Sequence, residues 1–312
     1  MRASGVLQKC LSGSLGAMRA LRSRVLLRSV GALVAGRRLT LIDVARSWPG
    51  AERVRAPLKA FDRLLSNRHL QGEREQVYAD MARWLLRGER PVIVIDWSDL
   101  KEDRRWCLLR AAVPVGGRTL PVLDMVFDGT EQGTPAAEKR FLLRLKTLVP
   151  QAVHPILVTD AGFRSPWFRA VSQIGWHWVG RLRNTTLVKP LDVPDRNEEW
   201  GPSRALHVLA GSTPRDLGLM ETVRSAPWVC RLVAYAKTAQ GRKHHNRRNR
   251  AQVARSSASR KAAAREREPW LIVASPELVH LSARQLVTLY ARRMQIELRV
   301  GRDSCEKQPN RR

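Results

Sequence analysis

The chain has 312 residues, of which 56 are Lys or Arg and 28 are Asp or Glu, so its formal net charge is +28. Hydrophobic residues make up 44% of it, enough to bury a core, which excludes a wholly disordered basic tail. A charge surplus of this size indicates a polyanionic partner, most often nucleic acid, and an anionic membrane is the alternative. No apolar run approaches the roughly 20 residues that cross a bilayer, so the sequence predicts no membrane partner.

The cysteines and the N-terminal residues indicate the cellular compartment of the protein. The four cysteines are far apart and lack metal-ligand spacing, which predicts reduced, unpaired thiols. The first residues are basic, but Lys9 and the arginines that follow interrupt every apolar stretch, so no signal-peptide core forms. These features predict a cytoplasmic protein.

The excess charge is concentrated in two regions. Residues 1–90 hold 18 basic and 7 acidic residues, and residues 237–267 hold 11 basic residues and the single acid Glu266. The second run is nearly free of large apolar side chains, which predicts an exposed loop that is disordered until it meets a phosphate backbone.

The first basic region has helical signals. Thr40 followed by Asp43 resembles a capping box, and Leu58, Phe61 and Leu64 recur at helical spacing. The pattern predicts a small basic helical DNA-binding domain, for which a helix-turn-helix is one candidate. A solvated pair of basic helices without DNA contact is the alternative.

From residue 92 the pattern changes to buried strands and amphipathic helices. The predicted order is strand, strand, strand, helix, strand, helix, strand, with the strands at 91–96, 106–115, 119–127, 154–160 and 176–182. This is the layout of an α/β mixed sheet with helices packed on it. Several folds use the order, and the ribonuclease-H-like core is one that keeps acids at its strand ends.

Two acids follow apolar strand runs. Asp96 and Asp160 close the runs VIVI and ILVT, so both carboxylates would face each other at one edge of the sheet if their strands are neighbours. Mg²⁺ takes carboxylate and phosphate oxygens as ligands. For a single acid, capping of the next turn is the plainer interpretation, and for the pair the two interpretations are balanced.

A third acid lies on the last predicted helix, residues 281–300, for which Ser282 and Gln285 form a capping box. At 100° per residue, Tyr290, Arg293 and Glu297 fall within a sector of about 60°. Arg293 could grip a phosphate, Tyr290 could stack or hydrogen-bond nearby, and Glu297 could complete a metal site. An Arg–Glu pair on a solvated helix face is the alternative.

Five segments in order resemble the signature blocks of bacterial insertion-sequence transposases of the IS-four type. They are IDWSDLKE (95–102), TDAGFRSPWF (159–168), GWHWVGRLR (175–183), EPWLIVAS (268–275) and YARRMQIE (290–297). The resemblance implies a ribonuclease-H-like core whose DDE triad of Asp96, Asp160 and Glu297 holds Mg²⁺ or Mn²⁺. The family's Tyr-Arg-Glu-Lys motif matches at Tyr290, Arg293 and Glu297 but has Ser304 where the lysine is expected.

The resemblance also implies a domain organisation. A basic helical DNA-binding domain occupies 1–90, the first part of the catalytic core 91–183, a β-rich and basic insertion 184–269, the last core strand and glutamate helix 270–300, and a tail 301–312. The family chain continues well past the glutamate helix, so a truncated or frameshifted copy is the hypothesis for this C-terminus.

The implied function is metal-dependent cut-and-paste transposition by a homodimer that pairs two element ends in a synaptic complex with double-stranded DNA. Phosphate contacts are expected from Tyr290 and Arg293 and from the basic run at Arg242, Lys243, Arg247 and Arg248. A catalytically inactive truncated transposase that binds DNA ends is the alternative. An RNA-binding protein would account for the charge but not for the acids at strand ends.

Overall fold

The computed structural model describes residues 3–36, 38–182, 186–191, 200–237 and 268–296. Within them the chain forms two compact units. One unit comprises Met1–Arg87 with Lys146–Gln151, and the other comprises Gly88–Leu145 and Ala152–Arg312.

The first unit is helical, as predicted from its spacing of apolar residues. Its helices are α1 (Ala3–Cys10), α2 (Ser12–Ala17), α3 (Ala20–Gly36), α4 (Leu41–Arg46), α5 (Arg55–Leu65) and α6 (Arg68–Leu85). The predicted cap of α4 is confirmed, because the Thr40 side chain accepts a hydrogen bond from the Asp43 backbone N–H. Ala32, Val44 and Trp48 form a small buried cluster between α3 and the segment that carries α4.

The second unit is built on one mixed sheet that contains every strand of the described residues. The strands are β1 (Val92–Asp99), β2 (Trp106–Val115), β3 (Arg118–Asp128), β4 (Ile156–Thr159), β5 (His177–Arg181), β6 (Leu187–Pro190), β7 (Gly201–Pro202), β8 (Arg215–Thr222), β9 (Trp228–Tyr235) and β10 (Trp270–Ala274). Their order across the sheet is β3-β2-β1-β4-β5-β10-β9-β8-β6-β7.

The first five strands confirm the predicted ribonuclease-H-like core. β1, β2 and β3 form an antiparallel meander, and β1, β4 and β5 are parallel neighbours. The β-rich insertion does not form a separate sheet in the described residues, because β9 pairs with β10 and extends the same sheet through β8, β6 and β7.

Three helices follow core strands: α7 (Pro135–Leu148), α8 (Ser165–Gln173) and α9 (Ala283–Ala291). On one face of the sheet, Val94 and Val158 pack in a core cluster with Leu286, Tyr290 and Ile296. The helix that leads towards Glu297 therefore covers the face that carries alternate residues of β1 and β4.

The predicted helix from 281 to 300 is confirmed at Ala283–Ala291 and again at 294–296, but it is interrupted between them. α9 ends at Ala291, and the next turns close through i→i−3 hydrogen bonds such as Arg293 N to Tyr290 O and Ile296 N to Arg293 O. Tyr290 and Ile296 both lie in the core cluster, yet a regular α-helix would set them about 240° apart. Three residues per turn brings them to the same side, which explains the tightening.

Two local predictions also change. β1 continues three residues past Asp96, so Asp96 lies inside a strand and not at its end. The sequence SPWF predicts Ser165 as the N-cap of a helix with Pro166 at its first position, but α8 begins at Ser165 itself and no side-chain cap precedes it, so this prediction is wrong. No helix in the described ranges combines the length and apolar character that a bilayer crossing requires.

Candidate active site

Asp96 and Asp160 lie at the point where the parallel pairing of β1 with β4 ends. Ile95 pairs with Thr159 in that register, and each acid is the next residue along its chain. Beyond this point β4 has ended while β1 continues against β2 alone. The two half-buried carboxylates therefore lie together where the sheet opens beside β1.

The loop after β4 holds Asp160 in place. Its Oδ1 accepts a hydrogen bond from the Gly162 backbone N–H at 2.7 Å. A Cβ added at Gly162 would lie 2.9 Å from the same oxygen, so only glycine fits this turn without displacing the carboxylate. One carboxylate oxygen is thereby oriented by backbone, which is a common way to present a ligand in a fixed geometry.

An arginine lies directly across from Asp96. In the β1–β2 register Asp96 pairs with Arg110, and in the β2–β3 register Arg110 pairs with Asp124. Arg110 Nε and Nη2 donate to the two carboxylate oxygens of Asp124, both at 2.8 Å. Asp96, Arg110 and Asp124 thus form a row of alternating charge across the adjacent strands β1, β2 and β3.

A further carboxylate, Glu138 on the first turn of α7, lies near Asp160. Glu138 is only 4% exposed. Burial raises the pKa of Glu138 to about 7, and the negative charge of Asp160 adds to the rise. The Trp97 indole N–H and the Arg164 guanidinium oppose it by favouring the ionised form.

Tyr290 and Arg293 lie on the covered face of the same sheet. Tyr290 is 3% exposed and packs edge-on against Trp270, with ring centroids 5.0 Å apart. Burial raises the pKa of its phenol, and the nearby Arg293 counteracts this. The Arg293 guanidinium carbon lies 5.9 Å from the centre of the Tyr290 ring. Their predicted contact with DNA phosphates stays a prediction.

The remaining predicted site residues lie outside the described residues. These are Glu297, Arg242, Lys243, Arg247 and Arg248. Glu297 follows Ile296, which is 2% exposed and belongs to the cluster that α9 forms with the sheet. Trp176, just before β5, and Trp178 within it are both buried, so neither is exposed for stacking on a DNA base.

The donor set suits a hard divalent cation. Asp96 and Asp160 offer adjacent carboxylate oxygens, which Mg²⁺ and Mn²⁺ accept together with water and substrate phosphates. Among the residues that the structure describes, no three His, Cys, Asp or Glu side chains are grouped closely enough to hold a metal. These observations are compatible with a metal site made of Asp96, Asp160 and a third acid beyond Ile296, for which Glu297 is the predicted residue.

Sequence reasoning missed Arg110, Asp124 and Glu138, although each left a signal. Glu138 lies on the apolar stripe of its helix, three and four residues before Phe141 and Leu142, where an acid would have to be buried. Arg110 and Asp124 are the charged residues inside otherwise apolar strand runs. Their pairing depends on the register between β2 and β3, which the sequence does not state.

The family model described as the Transposase DDE domain matches residues 87–302. No curated protein matches the chain. The solved structure titled "Cryo-EM structure of piggyBac transposase synaptic complex with hairpin DNA" is 13% identical, with a TM-score of 0.43 over 94% of this chain and 62% of that chain. The chain thus spans less than two thirds of that structure's length. Since the family model covers well over half of the 312 residues, the chain belongs to the DDE transposase family.

Proposed function

We propose that this chain is a bacterial insertion-sequence transposase of the IS-four type, in which Asp96, Asp160 and Glu297 hold Mg²⁺ or Mn²⁺ for cleavage and joining of DNA. The supporting observation is that Asp96 and Asp160 each directly follow the last register pair, Ile95 and Thr159, of the neighbouring parallel strands β1 and β4, inside the segment that matches the Transposase DDE domain. The five sequence blocks that resemble IS-four-type transposases support the finer assignment.

The chemistry requires charge neutralisation at a phosphodiester. A divalent ion bound at such a site activates the attacking oxygen and stabilises the leaving oxygen of the scissile phosphate. Asp96 and Asp160 would supply the negative charge that holds such an ion. The Gly162 N–H donates to one Asp160 oxygen and so fixes its orientation. Arg293, at the end of the α9 segment, would hold a nearby phosphate in a two-pronged contact.

The substrates follow from the same proposal. The element's double-stranded ends and a target duplex would bind through the basic N-terminal helices and the 237–267 run, largely by phosphate contacts. Two copies would pair two ends in a synaptic dimer, in the bacterial cytoplasm. The expected products are a nicked end, a free 3′-hydroxyl and a strand joined to target DNA.

The test is cleavage of supercoiled DNA that carries the element's own ends, with Mg²⁺ and with EDTA. We expect Mg²⁺-dependent nicking by the wild-type chain and none by Asp160→Asn, because the substitution removes one anionic ligand but keeps the side-chain shape. Asp99→Asn is the matched control. Asp99 lies on β1, the strand that carries Asp96, in an exposed ion pair with Arg104, so its loss should leave cleavage unchanged.

Other results would contradict this assignment. Cleavage in EDTA, or equal cleavage by Asp160→Asn, would exclude the proposed carboxylate site. Tight, salt-sensitive binding of the ends without cleavage by the wild-type chain would instead support a DNA-binding protein that has lost catalysis.

A further inference from the structure

Helix α5 of the first unit separates its apolar and charged side chains onto opposite faces. Pro57 and Leu64 are buried, and Ala60 and Phe61 pack against the small buried cluster of this unit. At 100° per residue these four positions fall within a sector of about 100°. One face of α5 is thereby fixed on the rest of the helical unit, and the opposite face is exposed to solvent.

The solvent face of α5 carries cations at a regular interval. Arg55, Lys59 and Arg63 are exposed and lie four residues apart, which places them in a sector of about 80° along one side of the helix. The ion pairs described in this unit join other residues. The three positive charges are therefore presented to solvent, where they can contact an anionic partner.

An acid lies at the margin of the same face. Asp62 is exposed and projects about 60° from Lys59 around the helix. A carboxylate repels phosphate, so it weakens a surface that contacts the DNA backbone alone. It can accept a hydrogen bond from the amino group of cytosine, whereas Arg and Lys donate to guanine. We call these four side chains, Arg55, Lys59, Asp62 and Arg63, the charged face of α5.

We propose that α5 reads the sequence of the element's ends, with its charged face in the major groove of double-stranded DNA. This inference rests on the proposed function, since it takes the element's end as the specific duplex. An α-helix with its side chains is about 10–12 Å across, and the major groove is about 12 Å wide. The cations span two turns, about 12 Å along the axis, which matches three to four base pairs at roughly 3.4 Å each.

The experiment measures binding of the full chain to two fluorescent duplexes in EDTA, by anisotropy at one fixed salt concentration. One duplex carries the element's own terminal sequence, and the other has the same base composition in scrambled order. Discrimination is the Kd for the scrambled duplex divided by the Kd for the element end. We expect the double variant Lys59→Gln, Arg63→Gln to lower discrimination about tenfold, the order of one lost base contact.

The matched control is the double variant Arg24→Gln, Arg28→Gln. These two arginines are exposed on α3 and also lie four residues apart, so the same charge is removed. Loss of a phosphate contact weakens both duplexes alike, so discrimination should stay near the wild-type value. Double-stranded RNA should compete poorly, because its deep and narrow major groove does not admit a helix.

Asp62→Ala distinguishes base reading from contact with phosphates alone. Removal of the negative charge should tighten binding of the scrambled duplex. Binding of the element end should not tighten equally, because an acceptor that faces a base is lost, so discrimination should fall. A surface that contacts only phosphates predicts equal tightening for both duplexes. Alanine favours helix at this exposed position, and circular dichroism checks that every variant is folded.

Two failures are distinguishable. Wild-type protein that neither prefers the element end nor cleaves it with Mg²⁺ would overturn the proposed function and this inference with it. Three other results would overturn only the role of α5: cleavage of the end without any binding preference, a preference unchanged in either α5 variant or lost equally in the α3 control, and equal competition by double-stranded RNA.

Discussion

At the scale of single residues, Glu138 is the unusual side chain of the second unit. An acid that is almost fully buried on an apolar helix face is destabilising when it ionises, because the charged form loses its hydration. Its raised pKa of about 7 is thus the physical consequence of its position, with Asp160 as a second contribution. The free energy of unfolding therefore depends on whether Glu138 is protonated.

The pH dependence follows from the sign of that shift. In the unfolded chain the pKa of a glutamate is near 4.5, and in the folded chain that of Glu138 is about 7. The protonated acid therefore favours folding fully below pH 4.5, and this contribution is lost as the pH rises through 7. Glu138→Gln has no group that titrates here, so its free energy of unfolding should not show this loss. The free energies of unfolding of the wild type and the variant should therefore diverge as the pH rises from about 4.5 through about 7.

The measurement is urea unfolding of both proteins in EDTA between pH 4.5 and 8.5. The exposed Glu102→Gln serves as control and should follow the wild-type profile. Parallel profiles for the wild type and Glu138→Gln would contradict the assignment of this titration to Glu138.

At the scale of elements, Arg231 connects β9 to the chain that enters α9. Its Nη1 donates to the carbonyl oxygens of Leu278 at 2.9 Å and Leu281 at 2.6 Å, and its Nε donates to Asp216 on β8 at 3.0 Å. The insertion strands thereby support the loop that sets where α9 begins. The Ser282–Gln285 capping box, which the sequence predicted, completes this start.

Replacement of Arg231 should be costly. Arg231→Met keeps much of the apolar stem but leaves Asp216 and two carbonyl groups without this donor. We expect the free energy of unfolding to fall by about 3 kcal/mol. Chemical denaturation measures it, with the exposed Arg215→Met on β8 as the matched control. A loss no larger than that of the control would show that water replaces the arginine without penalty.

At the scale of the whole molecule, the net charge of +28 predicts DNA binding dominated by phosphate contacts. Replacing Arg242, Lys243, Arg247 and Arg248 by Gln should make the plot of log affinity against log salt shallower by about 3 to 4, if each contacts one phosphate. Fluorescence anisotropy with duplex DNA between about 50 and 200 mM salt measures this slope.

The matched control replaces four basic residues of the 184–269 insertion that lie outside the 237–267 run, again by Gln. Suitable positions are Lys189, Arg204, Arg215 and Arg224. A change of slope as large in this control as in the first variant would mean that the run has no special role in binding.

Local pattern determined much of this protein. Continuous apolar runs predicted the core strands, because a strand buried on both faces needs apolar residues throughout. Cap residues at Thr40 and Ser282 predicted two helix starts, because capping is a contact between residues three apart. Ser165 failed as a cap, since the helix had already begun at that residue. The two acids and the five sequence blocks also indicate the DDE family, because they are local features of the sequence.

Only the tertiary structure decided which residues meet. The register of β1 with β4 brings Asp96 beside Asp160, and that of β2 with β3 gives Arg110 its partner Asp124. Packing on the sheet, not helical propensity, tightens the chain after α9 and buries Tyr290. These outcomes depend on side chains distant in sequence filling one core, whereas a sequence pattern records only near neighbours.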